Sequence, residues 1–374
     1  MRALLLSSLL LAAGACGDNS PAAPPPTPPP PAWQTCNGEA CRTGGLGVRQ
    51  SDPLEATLWL NRGCETGDGE SCFHLSRMHD LGEGVERDWA TSMALLERGC
   101  TAGHMMSCYN QAVGFRDGAG ADHDLPRAVQ LFTRACDGGL AMACSNLGAM
   151  VVDGIGVEQD HARAAQLFEQ ACTGGHPMGC ANRGGMLLEG RGVEKDEAAG
   201  IALIRGACTE EEVDGCGQLA RALWDGTGVP QDREQAVAMY RRACEGGSMQ
   251  ACASIGAIYA AGDGLPQDYG TAAAFLRQAC NGGVAPACHN LAEATWYGRG
   301  LPESHEDAVA LYLRACDGGF PPACNDVGTI YVGDGPQRDL SRAEALFQRA
   351  CEGGLPLGCQ NLERVRRQLA QQEG

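Results

Sequence analysis

The stretch Cys136–Cys172, CDGGLAMACSNLGAMVVDGIGVEQDHARAAQLFEQAC, decides the fold. Two cysteines stand eight apart at Cys136 and Cys144, and the next pair opens 28 residues later. The same spacing recurs for Cys64 with Cys72, Cys100 with Cys108, Cys172 with Cys180, and Cys208 with Cys216. It recurs again for Cys244 with Cys252, Cys280 with Cys288, Cys316 with Cys324, and Cys351 with Cys359. The step is 36 residues throughout, except 35 at the last. A fixed period of this size marks a solenoid, in which each repeat buries its apolar face against its neighbours.

Each repeat carries two helical signals. Helix A starts just before the second cysteine. In Met142–Val152 the apolar positions Ala143, Leu147 and Val151 share one helix face. A mid-helix glycine costs about 1 kcal/mol against alanine. Its recurrence at Gly148, Gly184, Gly256 and Gly328 predicts a neighbouring helix too close for a Cβ. The turn Asp153–Val157 follows, with counterparts at Gly190 and Gly192, Gly226 and Gly228, Gly262 and Gly264, and Gly298 and Gly300. No strand precedes these turns and the full Gly-rich phosphate fingerprint is missing, so they read as left-handed helix ends.

Helix B begins twelve residues before the next first cysteine, at Asp52, Asp88, Asp124, Asp160, Asp196, Asp232, Asp268, Ser304 or Asp339. Each is a good N-cap, accepting from free N–H groups of the first turn. Ala164, Leu167, Phe168 and Ala171 form the buried face of this helix, repeated as Ala128, Leu131, Phe132 and Ala135 and as Ala308, Leu311, Tyr312 and Ala315. Arg98, Arg134, Arg242, Arg314 and Arg349 stand two before the cysteine, where they complement a negative helix C-terminus. A Gly-Gly corner such as Gly138-Gly139 turns the chain back, and the two thiols meet across it. Closing so short a loop stabilises by roughly 2–3 kcal/mol in the chain-entropy model. Zinc is disfavoured, because no CxxC motif or mixed Cys and His cluster occurs.

Composition narrows the setting. Acidic residues outnumber basic ones 46 to 28, the net charge is -18, and Lys195 is the only lysine. Nucleic acid needs a basic footprint that is lacking here, and so do anionic headgroups. Twenty-one regularly spaced cysteines do not suit a reducing cytosol. Nine pairs account for eighteen of them. Cys36 holds the register of a second cysteine, but its partner position is Pro28, so it pairs with Cys41. Cys16 is left over and needs a role of its own.

Residues 1–15 read as an export signal with Arg2 ahead of an apolar run too short to span a bilayer. Ala13-Gly14-Ala15-Cys16 resembles the lipobox of bacterial lipoproteins, although leucine usually stands where Ala13 does. In that family the signal is cut before the cysteine, which is then acylated. Ordinary secretion is the alternative, since Ala13-x-Ala15 also fits the cleavage rule. Residues 16–32 hold this anchor and a proline-rich tether, in which Pro21–Pro31 would reach about 30 Å as polyproline II. Residues 33–51 form a degenerate N-terminal cap, 52–356 the repeats, and 357–374 a polar capping helix.

The pattern AxxxLGxxxxxGxGVxxDxxxAxxLFxxA resembles the Sel1-like repeat, a relative of the tetratricopeptide repeat. With one cysteine pair per repeat, it is similar to the Helicobacter cysteine-rich proteins. The resemblance implies an all-α, right-handed α-solenoid of antiparallel helix pairs, about eight repeats long, with helix A on the concave side. It also implies an exported interaction scaffold, or alternatively a weak penicillin-binding protein or β-lactamase. The chain departs from the pattern at its fifth corner, Thr209–Gly215, which is acidic and lacks Gly-Gly, and near Tyr331, where the repeat is one residue short.

Catalytic motifs are missing. Lys195 has Gly192 rather than serine three residues before it, KTG and HExxH do not occur, and Gly246-x-Ser248 does not extend to GxSxG. The eight histidines form no ligand pattern, and no cofactor is implied. One polar position does recur, two residues after the second cysteine: Asn110, Asn146, Asn182, Gln218, Ser254, Asn290 and Asp326, with His74 and Asn361 at the ends. Asparagine offers both donor and acceptor, which suits an extended peptide backbone. These side chains either bind a peptide or protein partner or hold adjacent repeats in register. Met105, Met106, Met142, Met178 and Met249 read as filler beneath the corners. The chain is expected to be a monomer that meets a membrane only through its lipid.

Overall fold

The computed structural model describes residues 31–120, 122–209, 213, 215–333 and 338–373. The signal, Cys16 and most of the tether lie outside these residues, as do Glu210, Glu211, Glu212 and Asp214 of the acidic corner. Twenty helices and no strand occur among the described residues. In chain order they are α1 (Ala32–Thr35), α2 (Gly38–Val48), α3 (Pro53–Glu65), α4 (Gly69–Leu81), α5 (Trp89–Thr101), α6 (Met105–Asp117) and α7 (Leu125–Asp137). Next come α8 (Ala141–Asp153), α9 (His161–Thr173), α10 (Pro177–Glu189), α11 (Glu197–Gly206), α12 (Cys216–Asp225), α13 (Arg233–Glu245) and α14 (Met249–Ala261). The last are α15 (Tyr269–Asn281), α16 (Ala285–Trp296), α17 (His305–Asp317), α18 (Pro321–Val332), α19 (Leu340–Glu352) and α20 (Pro356–Glu373).

From α2 to α19 the even-numbered A helices pair with the following odd-numbered B helices, giving nine pairs before α20. The expectation of about eight repeats starts the array at residue 52. Helix α2 supplies an A helix to α3, and the array starts one pair earlier.

The local signals explain each element. Every B helix from α3 to α19 is capped by the side chain anticipated, as when Asp160 accepts from the Arg163 N–H at 2.9 Å. Each A helix from α4 to α14 ends on a left-handed glycine, Gly154 having φ 69°. The second glycine of that turn has a different task. A Cβ on Gly156 would stand 2.7 Å from the Leu125 carbonyl carbon, so this turn fits beneath the start of the preceding B helix.

The anticipated close approach at Gly148 is made by a ring: a Cβ there would lie 2.7 Å from Phe168. Phe347 does the same at Gly328, Leu276 at Gly256, and the Gly200 carbonyl at Gly184. The core fills the space between A and B layers in four successive clusters, with Leu60, Phe132, Leu147, Ile204, Ile255 and Leu276 among the fully buried side chains.

Ten disulfides staple the array, with Cα separations of 4.4 to 5.2 Å, and each joins a pair anticipated from the spacing. Cys36 bonds to Cys41, Cys64 to Cys72, Cys100 to Cys108, Cys136 to Cys144, and Cys172 to Cys180. Cys208 bonds to Cys216, Cys244 to Cys252, Cys280 to Cys288, Cys316 to Cys324, and Cys351 to Cys359. The second cysteine of each eight-apart pair enters the first turn of its A helix, and most of them face the core. Cys72, Cys108, Cys144, Cys216, Cys252, Cys288 and Cys324 are buried, while Cys180 and Cys359 are half-buried. These sulfurs pack as core atoms as well as closing the corner.

Apart from α1 on α3, the helices two apart that pack most closely are A helices: α2 with α4, α4 with α6, α8 with α10, α14 with α16 and α18 with α20. The A layer is therefore the inner one, and its exposed face forms a groove. No described helix is long and apolar enough to cross a membrane.

Candidate functional site: the A-helix groove

The recurring polar position places Asn110, Asn146, Asn182, Gln218, Ser254, Asn290 and Asp326 half-buried along successive A helices. They do not act alike. Gln218 Nε2 donates to Asn182 Oδ1 at 2.8 Å, and the terminal Asn361 Nδ2 donates to Asn325 Oδ1 at 2.8 Å. Asn146 Nδ2 donates to the Tyr109 hydroxyl at 3.2 Å, while its Oδ1 accepts from Arg116 at 3.0 Å. His289 Nε2 meets Asp326 Oδ2 at 2.8 Å. These contacts run between neighbouring A helices, so part of the ladder holds repeats together through side chains. Ser254 instead bonds the Gln250 carbonyl of its own helix and the Tyr240 hydroxyl of α13, and Asn110 makes no side-chain hydrogen bond.

The Tyr109–Asn146–Arg116 contact falls between two cavities. One, about 550 Å³, lies over α4 and α6 and is lined by Phe73, His74, Trp89, His104, Met106 and Asn110. The other, about 500 Å³, lies over α8 to α14 and is lined by Met178, Asn182, Gly185, Gly217, Gln218 and Ser254. The methionine series therefore divides. Met105 packs against Gly138 and Met249 against Gly282, as filler should, whereas Met106 and Met178 face the cavities. That division was not legible, because consecutive positions in a helix's first turn point to different sides.

Two of the arginines before the first cysteines, Arg314 and Arg349, reach across repeats. Arg349 donates to the Cys316 carbonyl at 2.9 Å and to Asp317 at 2.8 Å, and Arg314 reaches the Asn281 carbonyl at 3.3 Å. Each thus caps the preceding B helix, and not its own.

Burial and neighbouring charge set the titration of three groove imidazoles. His74 and His104 are held below the ordinary histidine value by desolvation, which outweighs the pull of Glu70 on both. His289 is also desolvated, between the Tyr312 and Phe320 rings, yet its bond to Asp326 raises it on balance. Burial raises the Tyr240 hydroxyl. Lys195 is exposed and paired with Glu197 at 2.6 Å. Among the described residues no group of three or more His, Cys, Asp or Glu side chains could hold a metal ion.

The Sel1 repeat family profile matches nine times, at residues 38–68, 69–104, 106–140, 141–176, 177–209, 213–248, 250–284, 285–320 and 321–355. The chain belongs to the Sel1 repeat family. Among solved structures it is similar to c5321, a protective antigen of uropathogenic Escherichia coli with an SLR fold, at 22% identity and TM-score 0.50, covering 88% of this chain and 80% of that one. A Sel1 repeat protein from Oxalobacter formigenes is similar at 20% identity and TM-score 0.58, covering 64% of this chain and 96% of that one. Cysteine rich protein B of Helicobacter pylori matches over 44% of this chain and 93% of its own, at 20% identity and TM-score 0.21. Among curated proteins no relative matches the chain.

Proposed function

We propose that the chain is an exported, lipid-anchored, monomeric scaffold whose A-helix groove binds an extended peptide or protein segment. The carrying observation is that ladder residues line both groove cavities, Asn110 in one and Asn182, Gln218 and Ser254 in the other. Where the ladder bonds across repeats it stiffens the groove. Where it does not, as at Asn110, it leaves donors and acceptors for a partner backbone. Ten disulfides suit an oxidising compartment, and stapled corners make a rigid surface that loses little entropy on binding. Cys16 is the lipid-bearing residue in this reading.

The test combines Asn110→Arg with Ser254→Arg, which fills the groove with charge at two half-buried positions. Fluorescence binding to an array of unstructured twelve-residue peptides should be lost while the circular dichroism melt is kept. Binding that survives both substitutions would remove the groove from the function. Radiolabelled palmitate should enter the wild-type chain in a bacterial host and be lost in Cys16→Ser.

A further inference from the structure

We propose that the cavity over α10, α12 and α14 is a socket for one bulky apolar side chain of a cationic peptide segment, and that Gly217 keeps it open. The proposal rests on the groove reading and names the partner's chemistry.

Most of the mid-helix glycines return their conformational cost in packing. At Gly148, Gly184, Gly256 and Gly328 a Cβ would lie 2.6 to 2.8 Å from the facing helix, so glycine is required there. Gly217 is different. A Cβ on it would meet only the Cβ atoms of Ala251 at 3.9 Å and Ala243 at 4.0 Å, which is ordinary contact. Gly185 would meet only the tip of Gln218, at 3.2 Å. Gly185 sits inside α10, where glycine costs about 1 kcal/mol against alanine, Gly217 stands in the first turn of α12, and both line the same cavity. Other repeats carry Tyr109, Ser145, Ala181, Ala253, His289 or Asn325 where this one has Gly217. Helix α12 also begins at its cysteine, Cys216, whereas α8 begins three residues before Cys144. A missing helical turn and two missing side chains coincide at one place, leaving about 500 Å³.

The lining defines the occupant. Phe168, Met178 and Met186 make an apolar surface whose thioethers adapt to varied shapes. Gln218 Oε1 is buried without a hydrogen-bond partner and would accept a backbone N–H. On the rim, Asp153 is exposed at the negative end of α8 and forms no ion pair. Glu189, one repeat on, already engages Arg191 and Arg221. Asp153 is therefore the carboxylate available to a lysine or arginine beside the buried residue, on a chain of net charge -18.

The full chain is titrated by fluorescence anisotropy with a labelled eight-residue peptide of alternating lysine and alanine carrying one central phenylalanine. Versions with alanine for phenylalanine, or glutamate for lysine, are the comparison. The phenylalanine peptide should bind at least tenfold tighter than the alanine version, and the glutamate version should not bind. Gly217→Leu should abolish that preference. Gly217→Ala, for which the structure has room, should melt higher than wild type and lose part of the preference. Equal binding of the phenylalanine and alanine peptides, or a preference intact in Gly217→Leu, overturns the socket and leaves the groove. No binding by any peptide, or binding that survives Asn110→Arg combined with Ser254→Arg, overturns both.

Discussion

Gln218 Nε2 and Asn182 Oδ1 lie 2.8 Å apart, joining helices whose residues are 36 positions distant in sequence. The bond ties α10 to α12, one repeat to the next, through side chains alone.

A double-mutant cycle on Asn182→Ala and Gln218→Ala should therefore give a coupling of about 0.5–1.5 kcal/mol in urea unfolding, the range of one net hydrogen bond. The same cycle on Asn110→Ala and Asn146→Ala should give a coupling near zero, because those two side chains share no bond.

Gly148 and Phe168 offer a second check on packing. A Cβ at Gly148 would press into the ring at 2.7 Å. Gly148→Ala should lower stability by about 1–3 kcal/mol, as overpacking does, despite alanine's better helix propensity. Phe168→Leu in the same chain should return part of the loss, read as a shift in melting temperature.

Each corner staple from Cys64 with Cys72 to Cys351 with Cys359 closes a loop of the same length, so the chain-entropy model predicts nearly equal contributions. Replacing Cys136 and Cys144 by alanine should cost about 2–3 kcal/mol. Replacing Cys280 and Cys288 should cost the same within error. Urea midpoints of the two variants, compared with wild type, check this. A large difference between them would show that strain or neighbouring repeats, rather than loop closure, set the value.

How far such features could be read in advance follows from their range. The period, the cysteine pairs, the aspartate caps and the glycine turns are local: Asp160 needs only the N–H groups of its own first turn, and Cys108 needs only Cys100 across one corner. They were legible for that reason. The ladder position was legible too, but its bonds were not, because Asn146 reaches Tyr109 and Asp326 reaches His289 from 37 residues away. The cavity was hidden for a further reason. Glycine in a helix reads the same whether a neighbour excludes its Cβ, as at Gly148, or nothing does, as at Gly217.

Acid should act in opposite senses at the two ends of the groove. His74 and His104, with Phe73 between them, are depressed chiefly by burial, with Glu70, Asp68, Arg42 and Arg49 as the facing charges. A depressed histidine contributes stability above its unfolded value, about 6.5, and that contribution fades as pH falls toward the folded value. His289, raised by Asp326, does the reverse: its contribution is full below the unfolded value and is lost as pH rises through the folded one. Asp326, Glu293, Asn290 and the Tyr312 and Phe320 rings surround it. Melts from pH 8 to pH 5 should therefore show less acid destabilisation in the double variant His74→Gln with His104→Gln than in wild type. They should show more in His289→Gln, which removes the opposing contribution. Hydrogen exchange would locate the changes, with acid opening α4 and α6 first and leaving α16 and α18 protected.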